Sequence, residues 1–227
     1  MISIVLPVHN QASHIARVLF DYQEALDQFS IDHEIVLVAN GCYDETPKIC
    51  KKLGEKDPRI RICELTGSGW GLAVKEGIQK AKGEIICFAN SARTTPKDLI
   101  LLLNYAIVNK GVVIKANRKI RESWKRRLGS LLYNLECRAL FDLPTWDING
   151  TPKVFPREYT PLMNLTREDD LIDLEFNVLC RKENYPLLEI PLISTRRHSG
   201  HSTTNYSSAY LMYWGAIKIW WKSRSKE

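Results

Sequence analysis

Short β-branched runs alternate with amphipathic stretches through the first half of the chain. Ile2 to Val8, Glu34 to Ala39, Arg59 to Glu64 and Glu84 to Ala89 read as strands. Between the first two, Ile15, Val18, Leu19, Tyr22 and Leu26 recur at spacings of three and four, which predicts a helix ending near Ser30. Thr46-Pro47 opens a short helix through Leu53, with proline in the first turn where no hydrogen bond is lost. Gly67 to Gly71 lead into a further helix that reaches Ala81. The order β-α-β-α-β-α-β predicts an α/β fold with a mostly parallel central sheet flanked by helices. Ligands of such sheets bind outside the carboxyl ends of the strands, which here means the loops 9–12, 40–44, 67–71 and 90–95.

The second half is less regular. Trp124, Leu128, Leu131, Leu132 and Leu135 are spaced as the buried stripe of a helix, and Arg126, Ser130 and Asn134 share another face of it. Trp146-Asp147 to Arg157 reads as a loop and a short strand. Asp170 to Glu183 reads as a helix with the carboxylate cluster Glu168-Asp169-Asp170 at its N-terminus, where the helix dipole favours negative charge. Leu187 to Ile193 reads as a strand that Pro191 confines to a sheet edge.

Composition narrows the classes. With 44% apolar and 26% charged residues the chain is a folded globular protein, not a disordered one. No run approaches the ~18 to 20 apolar residues of a membrane span, and Met1 leads directly into an apolar strand, so neither a span nor a secretory leader is expected. The six cysteines include no Cys-x-x-Cys pair, which points to free thiols in a reducing cytoplasm. A net charge of +6 suits an anionic partner. Seven basic residues against Glu122 lie between Lys115 and Arg127, and arginine forks there would bind phosphate oxygens. Nucleic acid is not the expected partner, because no recognisable binding motif accompanies the charge. Tyr206 to Trp221 mixes tyrosines and tryptophans with Lys218, Lys222 and Arg224 close behind, a composition suited either to a membrane interface or to packing on the domain. Among the histidines, His14 and His33 are expected at the surface or as caps, whereas His198 and His201 flank Gly200.

The motifs occur in a telling order. Leu6-Pro7-Val8-His9-Asn10-Gln11 is similar to P-x-[YH]-N-E, and Asn40-Gly41-Cys42-Tyr43-Asp44-Glu45-Thr46 to D-D-G-S-x-D-x-T. Gly69, Gly71, Ala73, Lys75 and Gly77 alternate, then Ala81-x-Gly83-Glu84 and Pro96 follow. Asp147 to Arg157 fits D-x5-K-x-F-x-R, and Glu175, Glu189, Pro191, Arg197, Gly200 and Ser202 complete E…E-x-P…R-x-x-G-x-S. Together they resemble the family 2 glycosyltransferases of the GT-A fold, most closely the dolichyl or polyprenyl phosphate sugar synthases.

The resemblance implies one domain over 1–205, with a nucleotide-sugar half (1–96) and an acceptor half (97–205), followed by an amphipathic segment over 206–227. It implies a nucleotide diphosphate sugar donor held by Pro7, His9, Asn10, Gln11, Asn40, Asp44, Gly69, Gly71, Lys75, Asn90, Ser91, Ala92 and Arg93. It implies an acceptor that is a lipid phosphate or a saccharide. A lipid phosphate would meet Arg118, Arg126, Ser130, Lys153, Arg197 and Ser202 and, being ionised, needs no strong base. A saccharide hydroxyl needs one, and Asp169 or Asp170 is the candidate. With a lipid acceptor the protein would sit peripherally on the inner face of the membrane.

Carboxylates of the family pattern are absent at several positions. The metal-binding D-x-D falls on Asn90-Ser91-Ala92, the first position of the D-D pair is Ala39, and the opening Glu is Gln11. Hard cations need anionic oxygen, so Mg²⁺ or Mn²⁺ is expected to bind weakly or not at all, with Arg93 and Lys75 as substitute charges. A catalytically inactive, nucleotide-binding partner module is the competing reading.

Overall fold

Strands β1 (Ile2–Val8) and β2 (His33–Asn40) are buried along their whole length, as unbroken apolar runs covered on both faces must be. A computed structural model describes residues 1–119, 124–193 and 206–224, except the side chains of 124–126, 206–209 and 223. The further strands are β3 (Ile60–Leu65), β4 (Ile85–Phe88), β5 (Val113–Arg118), β6 (Lys153–Pro156) and β7 (Leu187–Leu192). They form one sheet in the order β3-β2-β1-β4-β6-β5-β7. Only β6 runs antiparallel to its neighbours among the described strands. β7, with its proline, lies at the edge.

The helices are α1 (Ile15–Gln28), α2 (Thr46–Lys56), α3 (Trp70–Lys80), α4 (Pro96–Val108), α5 (Trp124–Phe141), α6 (Thr160–Met163), α7 (Ile172–Lys182) and α8 (Tyr206–Arg224). α1 buries the five residues whose spacing predicts it. α4 is capped by Thr95, which accepts the Asp98 amide at 3.1 Å, and has proline in its first turn. Helices α1, α2 and α4 cover one face of the sheet, and α3, α6 and α7 the other. A third apolar cluster, including Tyr133, Cys137, Leu171, Leu174 and Ala216, joins α5, α7 and α8.

Several expectations are corrected. The leucine stripe of α5 faces outward: Leu128, Leu131, Leu132 and Leu135 are 48%, 46%, 52% and 46% exposed. The helix packs instead through Tyr133, Asn134 and Cys137, and the Asn134 side chain is accommodated because its Oδ1 accepts the Ile148 amide. α7 starts at Ile172, later than expected, because Asp169 Oδ1 accepts the Leu171 amide and holds the chain in a turn. His33 is buried and its Nδ1 donates to Ile31 O at 2.7 Å. The cysteines are free thiols. No helix among the described residues is long and apolar enough to cross a membrane.

Gly77 is where α3 meets the sheet, since a Cβ there would lie 2.2 Å from Val5 Cγ1 and 3.0 Å from Val38 Cγ2. Gly77→Ala is therefore expected to cost about 1–3 kcal/mol through overpacking. Gly129→Ala in α5, whose Cβ would meet nothing within 4 Å, should stabilise by about 0.5–1 kcal/mol. Urea denaturation of the two variants beside the wild type checks both signs.

Candidate active site

The loops at the carboxyl ends of β1 and β2 are held together by their own polar side chains. Asn40 Nδ2 donates to Val8 O at 2.9 Å, and Asn40 Oδ1 accepts the Gly69 amide at 3.1 Å. One buried asparagine thus ties β1, β2 and the glycine loop. Gly41 adopts φ +55°, and a Cβ there would lie 2.7 Å from Ser68 Cβ, so glycine is required on both counts. His9 Nδ1 donates to Asn40 O at 2.7 Å. Asn10 Oδ1 accepts the Tyr43 amide, which fixes the Asn10 side chain so that its Nδ2 donates to His9 Nε2 at 2.9 Å. His9 therefore carries its proton on Nδ1. Asp44 accepts the amides of Ala12 and Thr46 at 3.1 and 3.0 Å, and the Gln11 amide donates to Thr46 Oγ1. Burial works to raise the Asp44 carboxyl pKa, but these hydrogen bonds outweigh it and hold the pKa below the usual carboxylate range.

The turn after β4 closes on itself. Asn90 Oδ1 accepts the Ala92 amide at 3.1 Å, and the Ser91 hydroxyl lies 2.9 Å from both Pro7 O and Gln11 Oε1. Ala92 is buried and its side chain supplies no oxygen, while the half-buried Arg93 donates its amide to Asn90 O. Hard-metal sites require several oxygen donors, preferably charged. Here the two available ones are neutral and already bonded, and no group of three His, Cys, Asp or Glu side chains among the described residues is placed to hold a metal. Among the described residues, the turn after β4 does not offer the donor set of a divalent cation.

The glycine loop seats on the segment before α7. A Cβ on Gly71 would lie 2.3 Å from Asp169 O and 2.6 Å from Glu168 C, and one on Gly69 would lie 3.0 Å from Glu168 O. The Leu72 amide donates to Glu168 O at 2.9 Å, and Lys75 Nζ lies 2.5 Å from Glu168 Oε1. The donor-half loop and the expected carboxylates are thus in backbone contact, although 168–170 follows the loop by nearly a hundred residues. Lys75 is paired with Glu168 and is not a free phosphate ligand. Asp169 and Asp170 differ. The Arg167 guanidinium grips Asp169 through both oxygens and holds its pKa down. Burial, together with the charges of Asp173 and Asp169, raises that of Asp170. Asp170 is therefore the better proton acceptor of the two.

Beneath this contact lies an ionic network that spacing does not reveal. Asp173, in the first turn of α7, accepts the Trp70 indole N–H at 3.0 Å and pairs with Lys153, whose side chain is wholly buried. Burial pushes the Lys153 pKa down to about 8. Lys115, opposite Lys153 in the sheet, donates to Asp147 O at 2.5 Å and to Glu189 at 3.1 Å. Arg118 binds Asp147 through two nitrogens at 2.7 and 2.9 Å. Lys115, Arg118 and Lys153 thus face Asp147, Asp173 and Glu189 one for one. Arg118 and Lys153, expected at the acceptor phosphate, are paired here with the internal carboxylates Asp147 and Asp173. Trp70 is tied to the core rather than free to stack. Ser130 lies half-buried on α5. The Arg126 side chain, Arg197, Ser202, His198 and His201 lie outside the described residues.

Two outcomes follow. Lys153→Met leaves Asp173 charged and without its cation, and is expected to cost about 3–5 kcal/mol in denaturation; adding Asp173→Asn should recover part of that. Because the Asp44 pKa is depressed on folding, its stabilisation is present above the unfolded value near ~3.9 and disappears as pH falls through the folded value. Asp44→Asn should therefore lower the melting temperature at neutral pH, with the difference from wild type vanishing in strong acid.

Residues 3–161 match the model of glycosyl transferase family 2. The undecaprenyl-phosphate 4-deoxy-4-formamido-L-arabinose transferase of Aeromonas hydrophila is 24% identical over 137 residues, covering 59% of this chain and 42% of that protein. A protein of the same name from Pseudomonas fluorescens is 25% identical over 208 residues, covering 88% of this chain and 59% of that one. The chain spans about half the length of the curated relatives it matches. Glucosyl-3-phosphoglycerate synthase from Mycobacterium tuberculosis, solved with Mn²⁺, UDP-glucose and phosphoglyceric acid, superposes with a TM-score of 0.72 at 18% identity, over 96% of this chain and 77% of that one. The mostly parallel seven-stranded sheet is accordingly of the GT-A type. With the family model spanning well over half of its length, the chain belongs to glycosyl transferase family 2.

Proposed function

We propose that this chain is an inverting glycosyltransferase that moves a sugar from a nucleotide diphosphate sugar to a polyprenyl phosphate, without needing a divalent cation. The observation that carries the reading is the seating of Gly69 and Gly71 on the 168–169 backbone, which brings the donor loops and the acidic segment to one place. Similarity to undecaprenyl phosphate transferases supports the lipid phosphate as acceptor. In this reaction a phosphate oxygen of the acceptor attacks the anomeric carbon from the side opposite the diphosphate. The bond from that carbon to the diphosphate oxygen breaks, and its electron pair leaves with the nucleoside diphosphate. An ionised phosphate has no proton to lose, so no base is required. The departing charge would be met by the positive end of the α3 dipole and by the basic side chain of Arg93, Lys75 being paired with Glu168. Arg126 and Ser130, with Arg197 and Ser202, would hold the acceptor phosphate. A lipid acceptor puts the enzyme on the cytoplasmic membrane face as a peripheral protein.

The raised pKa of Asp170 favours a second reading, a saccharide acceptor whose hydroxyl Asp170 deprotonates. One experiment separates the two. The purified chain is incubated with UDP- and GDP-sugars and either undecaprenyl phosphate in detergent or oligosaccharides, and products are identified by mass spectrometry. The lipid reading predicts a phosphate-linked sugar, lost by about a hundredfold in Arg126→Ala and retained within about tenfold in Asp170→Asn. Transfer to hydroxyls alone, abolished by Asp170→Asn, would establish the saccharide reading. No transfer to either class would leave a nucleotide-binding module.

A further inference from the structure

α4 differs from the other helices on its face of the sheet. α1 shows Arg17 and Glu24 to solvent, and α2 shows Lys48, Lys51 and Glu55. α4 has no charged residue from Leu99 to Asn109. It packs on the sheet through Leu99, Ile100, Leu102, Leu103 and Ala106, yet its outer side carries Leu101, Tyr105, Ile107 and Val108, all exposed. Leu101, Tyr105 and Val108 follow at spacings of four and three, so they form one continuous stripe. A helix that is apolar all round belongs in an environment that covers it all round. Within one copy of the chain only the inner side of α4 is covered.

The charges at its two ends select the occupant. Asp98 lies in the first turn of α4, and the exposed Lys110 follows its end. The helix has 13 residues, about 20 Å. A second α4 laid antiparallel about a two-fold axis through Asn104 and Tyr105 therefore matches it end for end. That register sets Leu101 against the partner's Val108, and Asp98 against the partner's Lys110. Lys97, at the same end, then meets the partner's Glu84 and the partner's Glu158. Both carboxylates are exposed and line one cleft with Lys110 and Val112. Arg157, the other cation of that cleft, already donates to Gly83 O and Ala81 O. Each end of the pair thus brings cations to carboxylates, and the uncharged middle meets itself without repulsion. A strongly charged partner would find no counter-charge along the stripe.

We propose that the outer side of α4 is a self-association surface, on which a second copy of this chain packs antiparallel by two-fold symmetry. One side of one helix buries less than the ~1,200 Å² of a stable complex, so the pairing is weak and depends on concentration. Thr95 caps α4 directly after the turn that follows β4, so a copy seated on α4 also steadies that turn. The inference does not depend on the proposed transfer reaction.

Sedimentation equilibrium of the full chain, without donor or acceptor, tests the surface. As concentration rises, the mass should climb from the 26.1 kDa of one copy towards twice that value, with a Kd on the order of 10–100 μM. Leu101→Glu/Val108→Glu, at exposed positions, should keep the mass of one copy throughout, with circular dichroism unchanged. Lys110→Glu, which faces the partner's Asp98 with a like charge, should raise the Kd about tenfold, and adding Asp98→Lys should restore it to within about threefold. The mass of one copy at every concentration would overturn the proposal. So would a dimer that the α4 substitutions leave intact, or a charge swap that restores nothing, since the second copy would then sit elsewhere or in another register.

Discussion

Everything around the cleft depends on how closely the glycine loop approaches the start of α7. Gly71 lies against Asp169 O at a distance no side chain could occupy, and the Leu72 amide bonds Glu168 O. Asp173 secures the contact from below by holding Trp70 and Lys153 at once. Burying that many charges is justified only where each has its counter-charge. The one-for-one pairing of three cations with three carboxylates meets the condition and makes β5, β6, β7 and α7 a fixed platform for the donor loops.

The donor side obeys a related rule. Asn40, Asn10, Asp44 and Ser91 spend their hydrogen bonds on neighbouring loop backbone, so the pocket's shape is set before any ligand arrives. Preorganisation of this kind lowers the ordering cost of binding. It also consumes the oxygens of Asn90 and Ser91, in the turn whose first and third positions, Asn90 and Ala92, are carboxylates in the family pattern. On the proposed function, a pocket so built would recognise a diphosphate through amides and cations.

Legibility of the sequence varied with how local the determinant is. The α1 stripe and the strand runs of the first half are local patterns, and they appear where periodicity puts them. The α5 leucines show that periodicity identifies an apolar face without saying what covers it. β5 was hidden because Lys115 interrupts its apolar run, and only its distant partners Asp147 and Glu189 explain how a lysine is buried there. Arg118 and Lys153 read as ligands for the same reason, their carboxylates lying 29 and 20 residues away. Asp173 carried one faint signal, three residues after Asp170, and its role emerges only from the fold. The positions of the expected donor loops were legible because strand-end loops converge in any parallel sheet.

The central claim is that this pocket holds a nucleoside diphosphate without a divalent cation. Isothermal titration of the purified chain with UDP and with GDP, each in EDTA and then in Mn²⁺, tests it most directly. The account predicts that one of the two binds with the same affinity, within about threefold, in both buffers. Binding that appears only with Mn²⁺ would contradict it, and would mean that Asn90 and Ser91 give up their internal hydrogen bonds to a metal.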